Sequence, residues 1–148
     1  MRISRKVEYA LRALVAMARD PGCRVFQIQE LSRSENIPVK FLEQILLALR
    51  NAGILGSKRG VGGGYALLKK PIDITLGEIV VLFDGPLTPL PCALAKPNEP
   101  CTCPNPANCE LRIFMTGIRE QLDLILGQKT IEDLLALSPA GGALAFDI

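Results

Sequence analysis

The chain has no histidine and no tryptophan among its 148 residues, and two tyrosines and five phenylalanines make up all its aromatic content. Without histidine, the most frequent general base and a frequent metal ligand are both gone. Paired catalytic carboxylates are missing as well. The glycine-rich stretch 60–64 is not followed by a helical pattern and lacks the Gly-Lys-Ser/Thr element of a phosphate-binding loop. An enzyme is therefore not expected, and a reductase or ferredoxin-like electron carrier is only a minor alternative. Long apolar runs are also lacking. Glu8 and Arg12 interrupt the N-terminal segment, so neither a signal peptide nor a membrane span is expected, and the protein is expected in the cytoplasm.

What is present is an ordinary globular composition, 49% apolar and 22% charged, in a length that suits one domain or one domain with an appendage. The net charge of +2 conceals an asymmetry. Residues 1–70 carry 13 Lys/Arg against 5 Asp/Glu, and residues 71–148 carry 4 against 10. The basic half is the candidate for a polyanionic partner, with a merely solvated charged face as the competing reading.

Pattern favours the first. From residue 4 to about 20, Val7, Leu11, Leu14, Val15 and Ala18 recur at helical spacing with Ser4 as N-cap, and Pro21-Gly22 ends the run. A short helix is expected over 27–34 and, after a turn at Asn36-Ile37, a third over 38–51. Pro38 is placed in the first turn of that third helix, Leu42, Ile45, Leu46 and Leu49 face inward, and Gly53 stands just past the end. Its outward N-terminal face shows Lys40, Phe41, Glu43 and Gln44, which suits a helix-turn-helix, although any three-helix core has a similar pattern. Residues 54–59 and 65–68 then read as two strands around the glycine-rich tip 60–64. A basic hairpin directly after a helix-turn-helix is a wing. Lys58, Arg59 and Gly60 lie where a cation can enter a minor groove and the backbone can approach phosphates.

Thr75 and Glu78 have capping-box spacing at the head of a helix over 76–83. Next comes a loop holding Cys92, Cys101, Cys103 and Cys109, with seven of the 11 prolines between residues 85 and 109. Proline excludes a helix or central strand there, and clustered thiols in a reducing compartment point to a metal or redox centre. Beyond it, Leu111, Phe114, Met115, Ile118, Leu122, Ile125 and Leu126 stripe a long helix over 107–127. Its partner is either its own domain or the same helix of a second chain, which would supply two-fold symmetry for a palindromic operator. A last helix is expected over 130–137, followed by a poorly ordered tail.

Five segments in order, Glu8-Tyr9-Ala10-Leu11-Arg12-Ala13-Leu14, Phe41-Leu42-Glu43-Gln44-Ile45-Leu46, Arg59-Gly60-Val61-Gly62-Gly63-Gly64-Tyr65, Ile74-Thr75-Leu76-Gly77-Glu78-Ile79 and Cys103-Pro104 with Cys109, resemble the winged-helix regulators of the IscR, NsrR and CymR type over residues 1–137. The resemblance implies a mainly α fold: a winged helix-turn-helix over 1–84, a cysteine-rich cluster-binding loop over 85–109, and a dimerisation helix with tail over 110–148. It implies a homodimeric repressor that puts Lys40, Phe41, Glu43 and Gln44 in the major groove of double-stranded DNA and the wing in the minor groove. It also implies an iron-sulfur cluster, with a two-iron cluster preferred to a four-iron one, sensing redox, iron or nitric-oxide status.

Cys92, Cys103 and Cys109 match the three loop ligands, with a first gap longer than usual, and Cys101 is an extra thiol beside Cys103. The position where some relatives have a histidine ligand is Arg112. The fourth ligand is therefore either Glu8, where other relatives use a carboxylate of the opposite subunit, or Cys101. A thiol switch or a zinc site in the same fold is the alternative, although Cys101-x-Cys103 is tighter than a zinc knuckle.

Overall fold

A computed structural model describes residues 1–20, 22, 24–94 and 101–137. The first helix, α1 (Arg5–Ala18), begins where Ser4 caps it, the side chain accepting the Val7 amide at 3.4 Å. Its buried positions are Val7, Ala10, Ala13, Leu14 and Met17, while Leu11 and Val15 are only half-buried. The buried stripe is thus turned from the expected one. The physical reason is crowding: α1 is the central element, with helices on several sides, and the alanines let those neighbours come close.

Helix α2 (Ile28–Glu35) stops at Asn36, the one described non-glycine residue in the left-handed region (φ 52°), a conformation asparagine tolerates. Helix α3 (Val39–Asn51) follows and buries Leu42, Ile45, Leu46 and Leu49, as their spacing requires. Pro38 is the N-cap and not a first-turn residue; its ψ of 133° is extended, so the helix starts at Val39. Gly53, at φ 78°, lets the chain leave the helix and turn into the hairpin.

The hairpin pairs β1 (Leu55–Lys58) with β2 (Gly64–Leu67) in antiparallel register, Ser57 opposite Tyr65 and Lys58 opposite Gly64. A third rung was not visible as a strand pattern. Phe26 and Tyr65 exchange both backbone hydrogen bonds, at 2.7 and 2.9 Å, and tie the hairpin to the segment before α2.

Helix α4 (Leu76–Asp84) is capped by Thr75, whose hydroxyl accepts the Glu78 amide at 3.1 Å. The reciprocal half of the expected capping box is not made, because the Glu78 carboxylate accepts from Lys69 Nζ at 2.7 Å instead. The complete box occurs at α6 (Ile131–Ala136), between Thr130 and Asp133. Between them runs α5 (Glu110–Gln128), 19 residues and so about 28 Å long. It starts three residues later than expected, since Pro106–Asn108 form a separate 3-10 turn and Cys109 is its N-cap.

Helix α6 does not stay with α5. It packs on α1, Ile131 is fully buried, and its segment is hydrogen-bonded to the start of α4 through Ile131 N to Ile74 O (3.0 Å) and Leu76 N to Lys129 O (2.8 Å). One apolar core therefore runs from Ala10 through Leu46 and Ile79 to Ile131. The expected unordered tail, residues 138–148, lies outside the described residues. No helix among the described residues is long and apolar enough to cross a membrane.

Candidate functional site

Two sets of residues stand out from this core, one on α3 and the hairpin, the other in the proline-rich loop. On α3 the inward leucines force the remaining positions outward, so Lys40, Phe41, Glu43 and Gln44 are all exposed together with Val39. Phe41 is half held, because its ring meets Tyr9 of α1 edge-on at 6.3 Å between centroids. It lines a small cleft with Lys6, Gln44, Ala48 and Phe83. Its position is therefore set by packing, while Lys40, Glu43 and Gln44 can reach outward.

Lys58, Arg59 and Gly60 are exposed at the hairpin tip, and among the described residues neither cation is in an ion pair. Uncompensated cations beside an exposed helix N-terminus are what phosphate contacts require. The hairpin's tilt is fixed by Gly64. At φ 155° it lies so close to Phe26 that an added Cβ would be 2.1 Å from the Phe26 carbonyl oxygen.

A set of positioning residues behind this rung was not found from sequence. Arg24 lies over the Phe26 ring, 3.9 Å from its centroid, and bridges Asp20 and Glu30. The amide of Gly22 and then Arg24 hold Asp20 below the usual carboxylate range, and hydrogen bonding to Arg24 does the same for Glu30. No local pattern announced it, since Asp20 and Arg24 lie beyond the end of α1, where the helical i,i+4 rule does not apply.

In the loop, Cys92 sits in the 3-10 turn Pro91–Ala93 and Cys109 caps α5; both are half-buried, as is Cys101, and Cys103 is exposed. All four are free thiols. The backbone N–H of Cys103 and then its thiol donate to Cys101, and with nearby Arg112 they lower the Cys101 pKa. Cys103 is raised, first by donating to Cys101, then by the neighbouring charges of Cys101, Cys109 and Cys92. The four sulfurs are thus electrostatic neighbours, and Cys101 is the more easily ionised of the close pair.

Soft thiolates are the right donors for iron-sulfur chemistry. Among the described residues, however, no three cysteine, aspartate or glutamate side chains are gathered at metal-binding distances. The stretch 95–100 between Cys92 and Cys101 lies outside those residues. Glu8 is engaged elsewhere, with Arg5 at 3.2 Å and Arg12 at 3.6 Å. The donor set fits the group chemically.

The outer face of α5 has no buried residue. Ile113 and Phe114 are 68% and 65% exposed, and with Gly117, Ile118, Leu122 and Ile125 they line an open apolar groove.

The profile of the Rrf2 family, described as an iron-dependent transcriptional regulator, matches residues 3–137. An rrf2-like HTH-type transcriptional regulator of Rhodobacter capsulatus is 38% identical over 90% of this chain and 92% of its own. The structure of CymR, the global cysteine regulator of Bacillus subtilis, superposes with a TM-score of 0.74 at 32% identity, covering 93% of this chain and 98% of that one. The fold is shared as well by IscR of T. potens, with a TM-score of 0.73 at 23% identity over 98% of this chain and 94% of the other.

Proposed function

From the premise that this chain belongs to the Rrf2 family of DNA-binding transcription regulators, we propose that it is a cytoplasmic, homodimeric repressor. In this reading its proline-rich loop holds an iron-sulfur cluster, preferably a two-iron one, and reports redox, iron or nitric-oxide status to the DNA-binding face. The observation that carries it is that Cys92, Cys101, Cys103 and Cys109 all lie on the segment leading into α5, near enough for the other three to act on the acidity of Cys103. Cys92 and Cys109 with Cys103 or Cys101 are the loop ligands, and Glu8 of a second chain is the candidate for the remaining position. When bound, the cluster supplies a redox- and iron-sensitive clasp, with an oxygen ligand as its labile corner.

What the chain's own residues do follows from their placement. The loop joins α4 to α5, and Asp84 at the end of α4 accepts the Ser4 amide at 2.8 Å, directly at the start of α1. A clasp that orders the loop therefore bears on α1, against which α3 packs. Two copies joined along the apolar faces of α5 would present two α3 helices and two wings to a palindromic operator, and a change of loop order would alter their spacing. Lys40, Glu43 and Gln44 are the base-reading candidates, with Glu accepting from cytosine and Gln pairing with adenine, and Lys58, Arg59 and Gly60 serve the minor groove and phosphates.

Anaerobic purification with iron and sulfide analysis and a visible absorption spectrum, beside single substitutions of the four loop cysteines, tests this. A colourless protein without stoichiometric iron after reconstitution would sink it. A thiol switch would then stand in its place, favoured by the hydrogen-bonded Cys101–Cys103 pair with its split acidities.

A further inference from the structure

The most exposed large apolar side chain among the described residues is at the hairpin tip. Val61 has 104% relative exposure, and an aliphatic side chain in that position has no core to serve. Its neighbours are built to display it. Gly60 and Gly62 both have positive φ, 90° and 74°, so Val61 is the single side chain at the apex. The turn beneath is closed by Gly63 N to Gly60 O at 3.0 Å. A Cβ on Gly63 would be 2.4 Å from the Lys58 carbonyl oxygen, so the two arms of the tip are pressed together. The Gly64 contact and the Phe26–Tyr65 rung then hold the whole hairpin at one angle. The result is a thin edge one side chain wide, flanked by Lys58 and Arg59.

A minor groove about 6 Å wide admits such an edge, and its floor is chemically uneven. A·T pairs show only acceptors there, whereas G·C adds the guanine 2-amino donor, which projects into the groove. A branched aliphatic group with a stiff χ1 excludes water from the floor and offers that amine no acceptor. We propose that Val61 is a specificity determinant of the wing, reading the minor groove by rejecting G·C pairs beneath the tip. This goes beyond a wing that contributes only positive charge, and it rests on the reading of the hairpin as a DNA-binding wing.

The test starts from a duplex selected by the full-length protein out of a randomised library. Binding is then measured to versions carrying G·C or inosine·C at each pair outside the α3 contacts, for the wild type, Val61→Ser and Arg59→Ala. Inosine·C keeps the major-groove face of G·C and removes only the 2-amino group. At one or two pairs the wild type should bind G·C about tenfold more weakly than inosine·C. Val61→Ser, whose hydroxyl can accept from the amine, should shrink that ratio to about twofold or less. Arg59→Ala should weaken both duplexes together and leave the ratio standing. Equal wild-type binding to G·C and inosine·C everywhere would overturn the proposal, as would a ratio unchanged by Val61→Ser or one abolished by Arg59→Ala. Failure to select any duplex would instead overturn the wing reading itself, and the proposal with it.

Discussion

The winged body and the long helix α5 are made of similar amino acids used in opposite ways. In the body, every inward apolar position of α3 is sealed, and Leu42, Ile45, Leu46 and Leu49 are essentially inaccessible to water. In α5, a stripe with the same periodicity leaves Ile113 and Phe114 about two-thirds exposed and buries nothing. The body finishes its folding inside one chain, whereas α5 leaves an apolar face in water. Each exposed large side chain left in water forgoes roughly 1.5 to 3 kcal/mol of burial, which is a reservoir for association.

Two substitutions break this contrast most strongly. Phe114→Glu puts a charge in the centre of the apolar groove. It should convert a dimer to a monomer in sedimentation, with operator affinity lost by on the order of 100-fold or more, while thermal unfolding of the body is nearly unchanged. Leu46→Ala should do the reverse, costing about 2 to 5 kcal/mol of unfolding free energy and leaving any folded fraction dimeric. If Phe114→Glu melted the body, α5 would be part of the same cooperative unit and the contrast would fail.

Within the body, the wing is the seam where the contrast can be sharpened. A β-carbon at position 64 cannot be accommodated beside the Phe26 carbonyl without breaking the Phe26–Tyr65 rung. Gly64→Ala should therefore cost about 2 to 3 kcal/mol in denaturant unfolding and loosen the hairpin. DNA affinity should fall while the oligomeric state in sedimentation is unchanged.

The same two regions explain what could be read in advance. Periodicity marked α1, α3 and α5, capping-box spacing marked α4, and two glycine-bounded strands marked the hairpin, because each is a local pattern. What escaped is non-local. Phe26 pairs with a residue 39 positions away in the chain, and nothing in its neighbours has strand alternation. Ile131 belongs to the separate short helix expected after α5, but nothing local shows that it closes the core against α1, where the pairing of Thr130 with Thr75 brings it. Thr75 and Glu78 have capping-box spacing, but Lys69, brought near by the hairpin's return, takes the carboxylate. In the loop, the clustering of thiols was visible from residue type alone. The geometry was not, since sulfurs held by prolines and irregular turns follow no period. Glu8 was placed on α1 correctly as a helix residue, and its two arginine partners are one turn or less away on the same helix.

A smaller effect is expected from the wing's charge. Arg59→Ala should weaken DNA binding about tenfold at low salt and lower the slope of log K against log salt by about one, leaving dimerisation and unfolding untouched. An unchanged slope would mean that Arg59 meets no phosphate.

The smallest effect lies in acid, where the body and the loop again part. Asp20 and Glu30 have folded-state pKa values below their unfolded ones, Asp20 chiefly through the Gly22 amide and then Arg24, Glu30 chiefly through Arg24. A depressed carboxylate contributes stability that is complete above its unfolded pKa, near 4, and is lost as pH falls through the folded value. Arg24→Ala should thus destabilise slightly at neutral pH, and the gap between variant and wild type should narrow as pH falls below about 4. Some acid dependence remains in the variant, because the Gly22 amide still favours the Asp20 carboxylate. The groups are exposed, so salt should shrink the gap as well. The loop thiols cannot contribute there. None of them is among the groups that set the acidity of Asp20 or Glu30, so a Cys101→Ser protein should follow the wild-type acid curve. Acid curves for wild type and Arg24→Ala that run parallel with a constant offset would show instead that the cation over Phe26 works by stacking alone.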